Sequence, residues 1–507
     1  MRGGSARMAM MELKISDLVW DRETYAREQT SNNTVEQYAA ALSVGAQFPP
    51  IEVERLANYP GQDGKIVISI RDGYHRWMAH QRQEIATIEA EFWTDDVLDY
   101  SSRAVKCQLK AQSAFYNKQH GDRTSEKDKR ETARYIADND PEKTWSEQAI
   151  ADMVGSTQRT ISDWIADIRA KQKASRDSVV YRLSRLGWTQ DKIALFAGIS
   201  DRQVRNITGS DSDFAKISGL LQACVDDAKV DALIRDAVEQ YHIDTPLAWA
   251  LRLDGQSDLD RFGMAASSDG AKNLKWGPQP YDFWHFGQCD TRFGDAWPGR
   301  IPAQIVGHVL YFYSEQGDLV MDPMAGGGVV PDVCLALNRK CRAFDLVAGN
   351  SEERAHQRPE IEHWHWDLDD MTWPDVKPDL IFWDPPYFSK KDTDYAEQAN
   401  GQISISSLGR DDYLAFFRQW FALAKQHIKP TTTLAFLMSD WNDDATDEGI
   451  FIWDYAHLLQ ETGWRLIRHI QAPLSTQSFG GDFVIKFRES KRLGRLERYV
   501  LIARPEK

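Results

Sequence analysis

Four short apolar runs in the C-terminal half each end in an aspartate: LVMD at Asp322, CRAFD at Asp345, HWHWD at Asp367 and LIFWD at Asp384. Runs of β-branched and aromatic residues bounded by turn residues read as buried strands, and helical stretches lie between them. Alternating strands and helices bury both faces of a sheet by winding helices over each side, so this half reads as a doubly wound α/β domain. In such a sheet the carboxyl ends of the strands share one edge, and ligands bind in the crevice outside it. The pattern therefore gathers Asp322, Asp345, Asp367 and Asp384 along that edge.

The corners after these strands carry further information. GDLVMDPMAGGG, residues 317–328, is a strand, an acid and a glycine-rich turn leading into the helix VVPDVCLALNR. Asp345 follows Asp322 by 23 residues, where an acidic group would meet a ribose. The turn lacks the Lys-Ser/Thr of a phosphate cradle, so a nucleoside without a triphosphate fits it best. DLIFWDPPYFSKK, residues 379–391, ends its strand in Asp384, Pro385, Pro386 and Tyr387. The prolines cannot donate to a sheet, so the strand stops and the carboxylate stands on a stiff corner.

The remaining organisation is that of a chain of several domains, as 507 residues suggest. MRGGSARMAM, residues 1–10, reads as a tag or disordered tail. Residues 11–98 read as a small α+β domain: a first strand in MELKISDLVW, a helix in NTVEQYAAALSVG capped by Asn33 or Thr34, strands in PPIEVERL and KIVISI, and a turn at Asp72-Gly73 into a helix carrying His75 and Arg76. Residues 99–208 are helical and polar, 209–282 read as a helical connector with a linker at 265–280, and 283–507 form the doubly wound domain. No stretch is apolar for long enough to span a membrane. The cysteines at 107, 224, 289, 334 and 341 form no CxxC pair or metal-like cluster, which fits reduced thiols, a cytoplasmic protein and no metal site.

The net charge of −15 excludes a protein that coats nucleic acid indiscriminately. Residues 101–210, however, hold 20 Lys+Arg against 14 Asp+Glu. Within them WSEQAIADMVGSTQRTISDWI and WTQDKIALFAGISDRQVRNIT share one spacing: Ala151, Gly155 and Ile161 in the first, Ala194, Gly198 and Val204 in the second. Ala lets two helices approach, Gly turns the chain, and the β-branched residue packs the second helix back, as in a helix-turn-helix. The outward residues are then Gln158, Arg159 and Thr160, and Arg202, Gln203 and Arg205, types that reach base edges and phosphates.

Residues 283–388 resemble the S-adenosylmethionine-dependent amino-methyltransferases of DNA. FWHFGQCDTRFGDAWPGRIPAQIVGHVLYFYSEQGDLVMDPMAGGG is similar to that family's lead-in helix and cofactor loop, and DPPY to its catalytic tetrapeptide, 62 residues further on. The resemblance implies S-adenosyl-L-methionine held by Asp322, Pro323, Ala325, Gly326 and Gly328, with Asp345 at the ribose and Asp367 near the adenine. It implies that Asp384, Pro385, Pro386 and Tyr387 act on a base amine, adenine N6 first and cytosine N4 second. GGG stands where the family often has Gly-Ser-Gly, and no recognition domain is inserted between the motifs. The basic loop KFRESKRLGRLER is either a phosphate contact or a solvated hairpin.

PPIEV and DGYHRWMA are similar to the ParB/sulfiredoxin-like fold, with Gly73, His75 and Arg76 in the turn that holds a nucleotide phosphate in some members. Tyr74 stands where sulfiredoxins place their catalytic Cys, which argues against reductase chemistry. FYNKQHGDRTSEKDKRE continues the ParB-like pattern. The expectation is a multidomain α/β protein: a ParB-like α+β domain, a helix-turn-helix region and a Rossmann-like methyltransferase sheet that methylates double-stranded DNA, with room for a homodimer and a restriction-modification role. The rivals are a ParB-like regulator with a non-catalytic methyltransferase fold and an RNA- or nucleotide-modifying enzyme.

Overall fold

A computed structural model describes residues 10–26, 31–62, 64–119, 125–140, 145–224, 227–263, 273–286, 288–351, 354, 356–388, 404–443, 448–474, 481–491, 493 and 496–506. Residues 1–9, half of the expected linker and parts of the basic loop fall outside these. The chain divides into two compact units, Met1–Lys173 and Ala174–Lys507.

The first unit holds β1 (Met11–Lys14), β2 (Leu18–Val19), β3 (Ile51–Ala57), β4 (Val67–Asp72) and β5 (Thr87–Asp99) in one sheet, order β1-β5-β3-β4-β2. Helices α1 (Asn32–Ser43) and α2 (Tyr74–Arg82) accompany it. Its core is Ile15, Leu18, Ile51, Val53, Ile70 and Phe92. The cap of α1 is Ser31, whose Oγ accepts the Thr34 N–H at 3.2 Å, rather than Asn33 or Thr34. In a run of adjacent capping residues, Ser31 is the one that keeps the extended backbone a cap needs. Helices α3 (Arg103–Gln119), α4 (Glu126–Asn139), α5 (Glu147–Val154) and the first part of α6 (Gln158–Arg185) share a core of Ala133, Ile136, Ile150, Ala151, Ile161 and Ile165.

The second unit begins inside α6 and continues through α7 (Gln190–Ala197), α8 (Asp201–Thr208), α9 (Asp213–Ala223), α10 (Asp227–Tyr241), α11 (Thr245–Arg252) and α12 (Asp258–Phe262). Then come α13 (Ala303–Tyr313), β6 (Leu319–Asp322), α14 (Val329–Ala336), β7 (Lys340–Asp345), β8 (Ile361–His363), β9 (Leu380–Trp383), α15 (Arg410–His427) and β10 (Thr433–Met438). The chain closes with β11 (Trp441–Asp443), β12 (Glu448–Ile450), α16 (Ile452–Glu461), β13 (Trp464–Gln471), α17 (Gly481–Ser490) and β14 (Tyr499–Pro505). A seven-stranded sheet has the order β13-β14-β10-β9-β6-β7-β8, parallel from β10 to β8, with β14 antiparallel to both neighbours. The chain winds outward through β6, β7 and β8, then returns to β9 on the other side of β6. The switch point therefore lies between β6 and β9, where a crevice opens.

The division into two units falls inside α6, between Lys173 and Ala174. The connector is core: Phe214, Ile217, Leu221, Ile234, Leu247 and Trp249 pack in one cluster with Ile305, Val306, Val329, Val333 and Phe382. Of the linker, Leu274 and Trp276 are buried in the same cluster. The segment leading into α7, and α7 itself, belong with the sheet as well, because the Leu186 carbonyl accepts the Cys341 N–H at 3.0 Å and Lys192 in α7 pairs with Glu362 at 2.8 Å. Polar surface made these helices look like a spacer. Their apolar stripes show them to be one cover of the sheet.

Candidate active site

β6 delivers Asp322 to the sheet edge, and the glycine turn that follows is fixed by close packing. Gly328 is left-handed (φ 79°) and caps α14, and a side chain there would strike the Arg358 guanidinium. A Cβ on Gly327 would lie 2.8 Å from that of Trp297. Behind the turn, Arg358 donates to the Gly328 carbonyl (2.6 Å) and to Asp332 (2.8 Å), and Arg182 joins Asp332, Glu360 and Asp244. This buried ion network holds the turn from below, and its charges are paired on several sides as burial demands.

A cavity of about 680 Å³ lies over the edge. Asp322, Pro323, Ala325, Gly326, Asp345, Asp384, Pro385, Pro386 and Tyr387 all line it. Asp345 accepts the Gly326 N–H at 2.8 Å and the Val347 N–H at 2.9 Å, with Arg354 at 3.6 Å. Asp322 accepts the Met324 N–H at 3.2 Å. Burial pushes both carboxyls above the usual carboxylate range, and Asp322 is raised further by Asp345 and Asp384. Gly328 and Asp367 are not in the lining. Gly328 lies behind the turn, and Asp367 is exposed and accepts the Asp369 N–H. β8 ends at His363, so the chain leaves the strand before Asp367 and presents Trp364, His365 and Trp366 to the cavity instead.

Asp384 differs from the other two carboxylates. Its Oδ1 is buried and accepts no hydrogen bond from any described residue. Burial pushes its carboxyl up to about 7, against the pull of Arg498 and a hydrogen bond from Tyr387. The Pro386 carbonyl accepts the Tyr413 hydroxyl at 2.9 Å, which fixes the corner from behind. Trp383, one residue earlier, packs its ring centroid 3.8 Å from that of Trp420, so the strand under Asp384 is rigidly held.

Several lining residues carried no signal in the sequence pattern. Trp297 covers the glycine turn with Arg354 over its ring at 4.5 Å. Trp366 Nε1 donates to the Pro323 carbonyl at 3.1 Å. Arg498 arrives from the start of β14, 114 residues after Asp384. The Trp-Pro-Gly turn around Trp297 is a local signal that could have marked it; Arg498 belongs to no pattern.

The other expected residues lie elsewhere. Gly155 and Gly198 are left-handed turns (φ 72° and 61°) between α5 and α6 and between α7 and α8, while Ala151, Ile161, Ala194 and Val204 are buried. Arg159, Arg202 and Arg205 are exposed, as is Gln158. Gln203 is engaged in capping α8, its Oε1 accepting the Ser200 N–H at 2.9 Å, and the Thr160 hydroxyl pairs with Thr157. In the turn before α2, Arg76 donates to the Pro49 and Pro50 carbonyls at 2.7 and 2.8 Å and pairs with Asp72. His75 Nε2 accepts the Ser31 N–H at 3.1 Å, and a side chain on Gly73 would strike Ile51. Among the described residues no helix is long and apolar enough to cross a membrane, and no group of His, Cys, Asp or Glu is arranged to hold a metal ion.

Fold and site together define a doubly wound α/β unit with a ligand crevice at its switch point. No family model matches the sequence, and no curated protein matches it. Solved structures similar to parts of the chain include TrmN from Thermus thermophilus, at 14% identity over 41% of this chain with a TM-score of 0.25; the chain spans 50% of that one. Sulfiredoxin from Arabidopsis thaliana matches at 18% identity over 20% of this chain and 97% of its own, TM-score 0.14. The chromosome-partitioning protein ParB from Caulobacter crescentus, complexed with CTP-gamma-S, matches at 17% over 40% of this chain and 100% of its own, TM-score 0.18.

Proposed function

We propose that the C-terminal unit is an S-adenosylmethionine-dependent methyltransferase acting on an exocyclic amine of a base in double-stranded DNA, and that Arg159, Arg202 and Arg205 contact the DNA. The observation that carries this reading is Asp384, a carboxylate on a stiff proline corner with one buried oxygen that no described residue engages. A buried polar atom without a partner is costly and persists where a ligand completes it.

The residues fit the cofactor. The volume falls in the range of small-molecule sites, about 300–1,000 Å³. Burial disfavours the charged forms of Asp322, Asp345 and Asp384, and a cationic ligand favours them. Trp297, Trp364 and Trp366 offer aromatic faces to an adenine. When bound, the cofactor supplies an electrophilic methyl on sulfur.

The chain's part is to make a poor nucleophile attack. The lone pair of a base amine is delocalised into the ring. Asp384 Oδ1 and the Pro385 carbonyl accept its N–H groups, draw the nitrogen toward tetrahedral geometry and free the lone pair. As the new N–C bond forms and the methyl's bond to sulfur breaks, the proton leaving nitrogen passes to Asp384 or to water. A target base must leave the duplex to reach such a pocket, and the lining aromatics can receive it.

The test is transfer of labelled methyl from S-adenosylmethionine to unmethylated duplex DNA, wild type beside Asp384→Ala. The expected result is transfer by wild type and a loss of at least about 10³-fold in the variant at unchanged cofactor affinity. Full activity in Asp384→Ala, or no transfer to any DNA by a wild type that binds the cofactor, overturns the reading.

A further inference from the structure

We infer that Arg498 is the second base-reading group of this pocket and that, paired with Asp384, it selects cytosine as the base whose amine is methylated; the inference rests on the methyltransferase reading above. Arg498 is 5% exposed and lines the same cavity as Asp384. Its backbone is clamped at the end of the β13–β14 pair, where its carbonyl accepts the Ala472 N–H at 2.7 Å. Its Nε donates to the Ala472 carbonyl at 3.0 Å. Neither Nη1 nor Nη2 has a hydrogen bond or ion pair with any described residue. A guanidinium is permanently charged and carries a planar fork of donors, so an outer fork left open toward the cavity suits a ligand that brings acceptors.

The chemistry of that ligand follows from the neighbour. Asp384 and Arg498 sense each other's charge but do not close an ion pair. The cavity lining thus offers an acceptor at Asp384 and a two-donor fork at Arg498. The planar edge that complements this array carries an amine followed by contiguous acceptors. Cytosine has that edge, with its N4 amine, then N3, then O2. Adenine presents its N6 amine and N1, then a C–H, which leaves half of the fork unanswered. Guanine places a donor, N1–H, beside its amine and would oppose the guanidinium. The tetrapeptide by itself favours adenine through its resemblance, but Arg498 lies outside that motif and points the other way. A bidentate match of this kind discriminates between bases by about tenfold to a hundredfold.

The experiment uses the full-length protein, labelled S-adenosylmethionine and long unmethylated plasmid DNA of mixed sequence, with nucleoside mass analysis of the product. The expected product is N4-methylcytosine. Arg498→Gln should lower kcat/KM by at least about thirtyfold and raise the share of adenine product, with cofactor affinity unchanged. Arg498→Lys, which keeps the buried charge and loses the fork, carries the same expectation should the Gln variant fail to fold. N6-methyladenine as the wild-type product, or full cytosine methylation by Arg498→Lys, overturns the inference and leaves the methyltransferase standing. A wild type that binds the cofactor and methylates no DNA removes the underlying reading instead, and this inference with it.

Discussion

The strand-to-helix turn after β4 and the proline corner after β9 look alike in sequence: each ends a buried strand in an aspartate and offers polar side chains to whatever lies beyond. In the structure they are used in opposite ways. At the first, Arg76 answers two backbone carbonyls and Asp72, and His75 answers Ser31. At the second, Asp384 keeps a buried oxygen that no described residue engages, and Arg498 keeps a fork open to the cavity among the described residues. A satisfied polar group holds the fold together, whereas one left unengaged in a cavity wall is available to a ligand. This contrast separates scaffold from site more sharply than residue type does.

The largest effect should come at the unengaged group. Asp384→Ala should cost at least about 10³ in methyl transfer at unchanged cofactor affinity. Asp384→Asn sharpens the point through pH. The carboxyl's folded value of about 7 lies above the unfolded value near ~3.9, so its favourable contribution is fully present below about pH 4 and is lost as pH rises through 7. Asn does not ionise, so the variant should exceed wild type in stability by about 2–4 kcal/mol at pH 8, shrinking to nothing near pH 4. Thermal melts across that range check it, and a gain that grew toward low pH would refute the assignment.

The engaged turn should behave the other way. Arg76→Ala strands two carbonyls and a carboxylate, and should lower the stability of the first unit by about 2 kcal/mol with methylation per folded molecule unchanged. A tenfold drop in activity without a drop in stability would erase the distinction. The smallest effect belongs to exposed cations. Arg202→Ala with Arg205→Ala should weaken DNA binding about tenfold and flatten the logarithmic salt dependence by roughly one for each phosphate no longer neutralised, leaving cofactor affinity alone. Filter binding over a salt series reads both.

Much of this arrangement was legible in the chain. The strand-end aspartates, the glycine turn, the proline corner and the paired Ala–Gly–Ile/Val spacings are local patterns, and local geometry follows from neighbours a few residues away. Three of the four strand-end carboxylates do line the crevice. Asp367 does not, because a strand's last hydrogen-bonded residue depends on its partner strand, and β8 is paired only as far as His363. Gln203 looked like a base reader, yet its amide is drawn into a cap, since capping competes for the same oxygen.

By itself, then, the sequence determined which residues sit at strand ends and turns, through periodicity, proline stiffness and glycine freedom. Tertiary structure alone decided what those residues meet. It turned the connector into core by matching its apolar stripes to the sheet, and it carried Arg498 across 114 residues to stand by Asp384. Burial and distance are properties of the packed molecule, and whether a charge finds a partner depends on both.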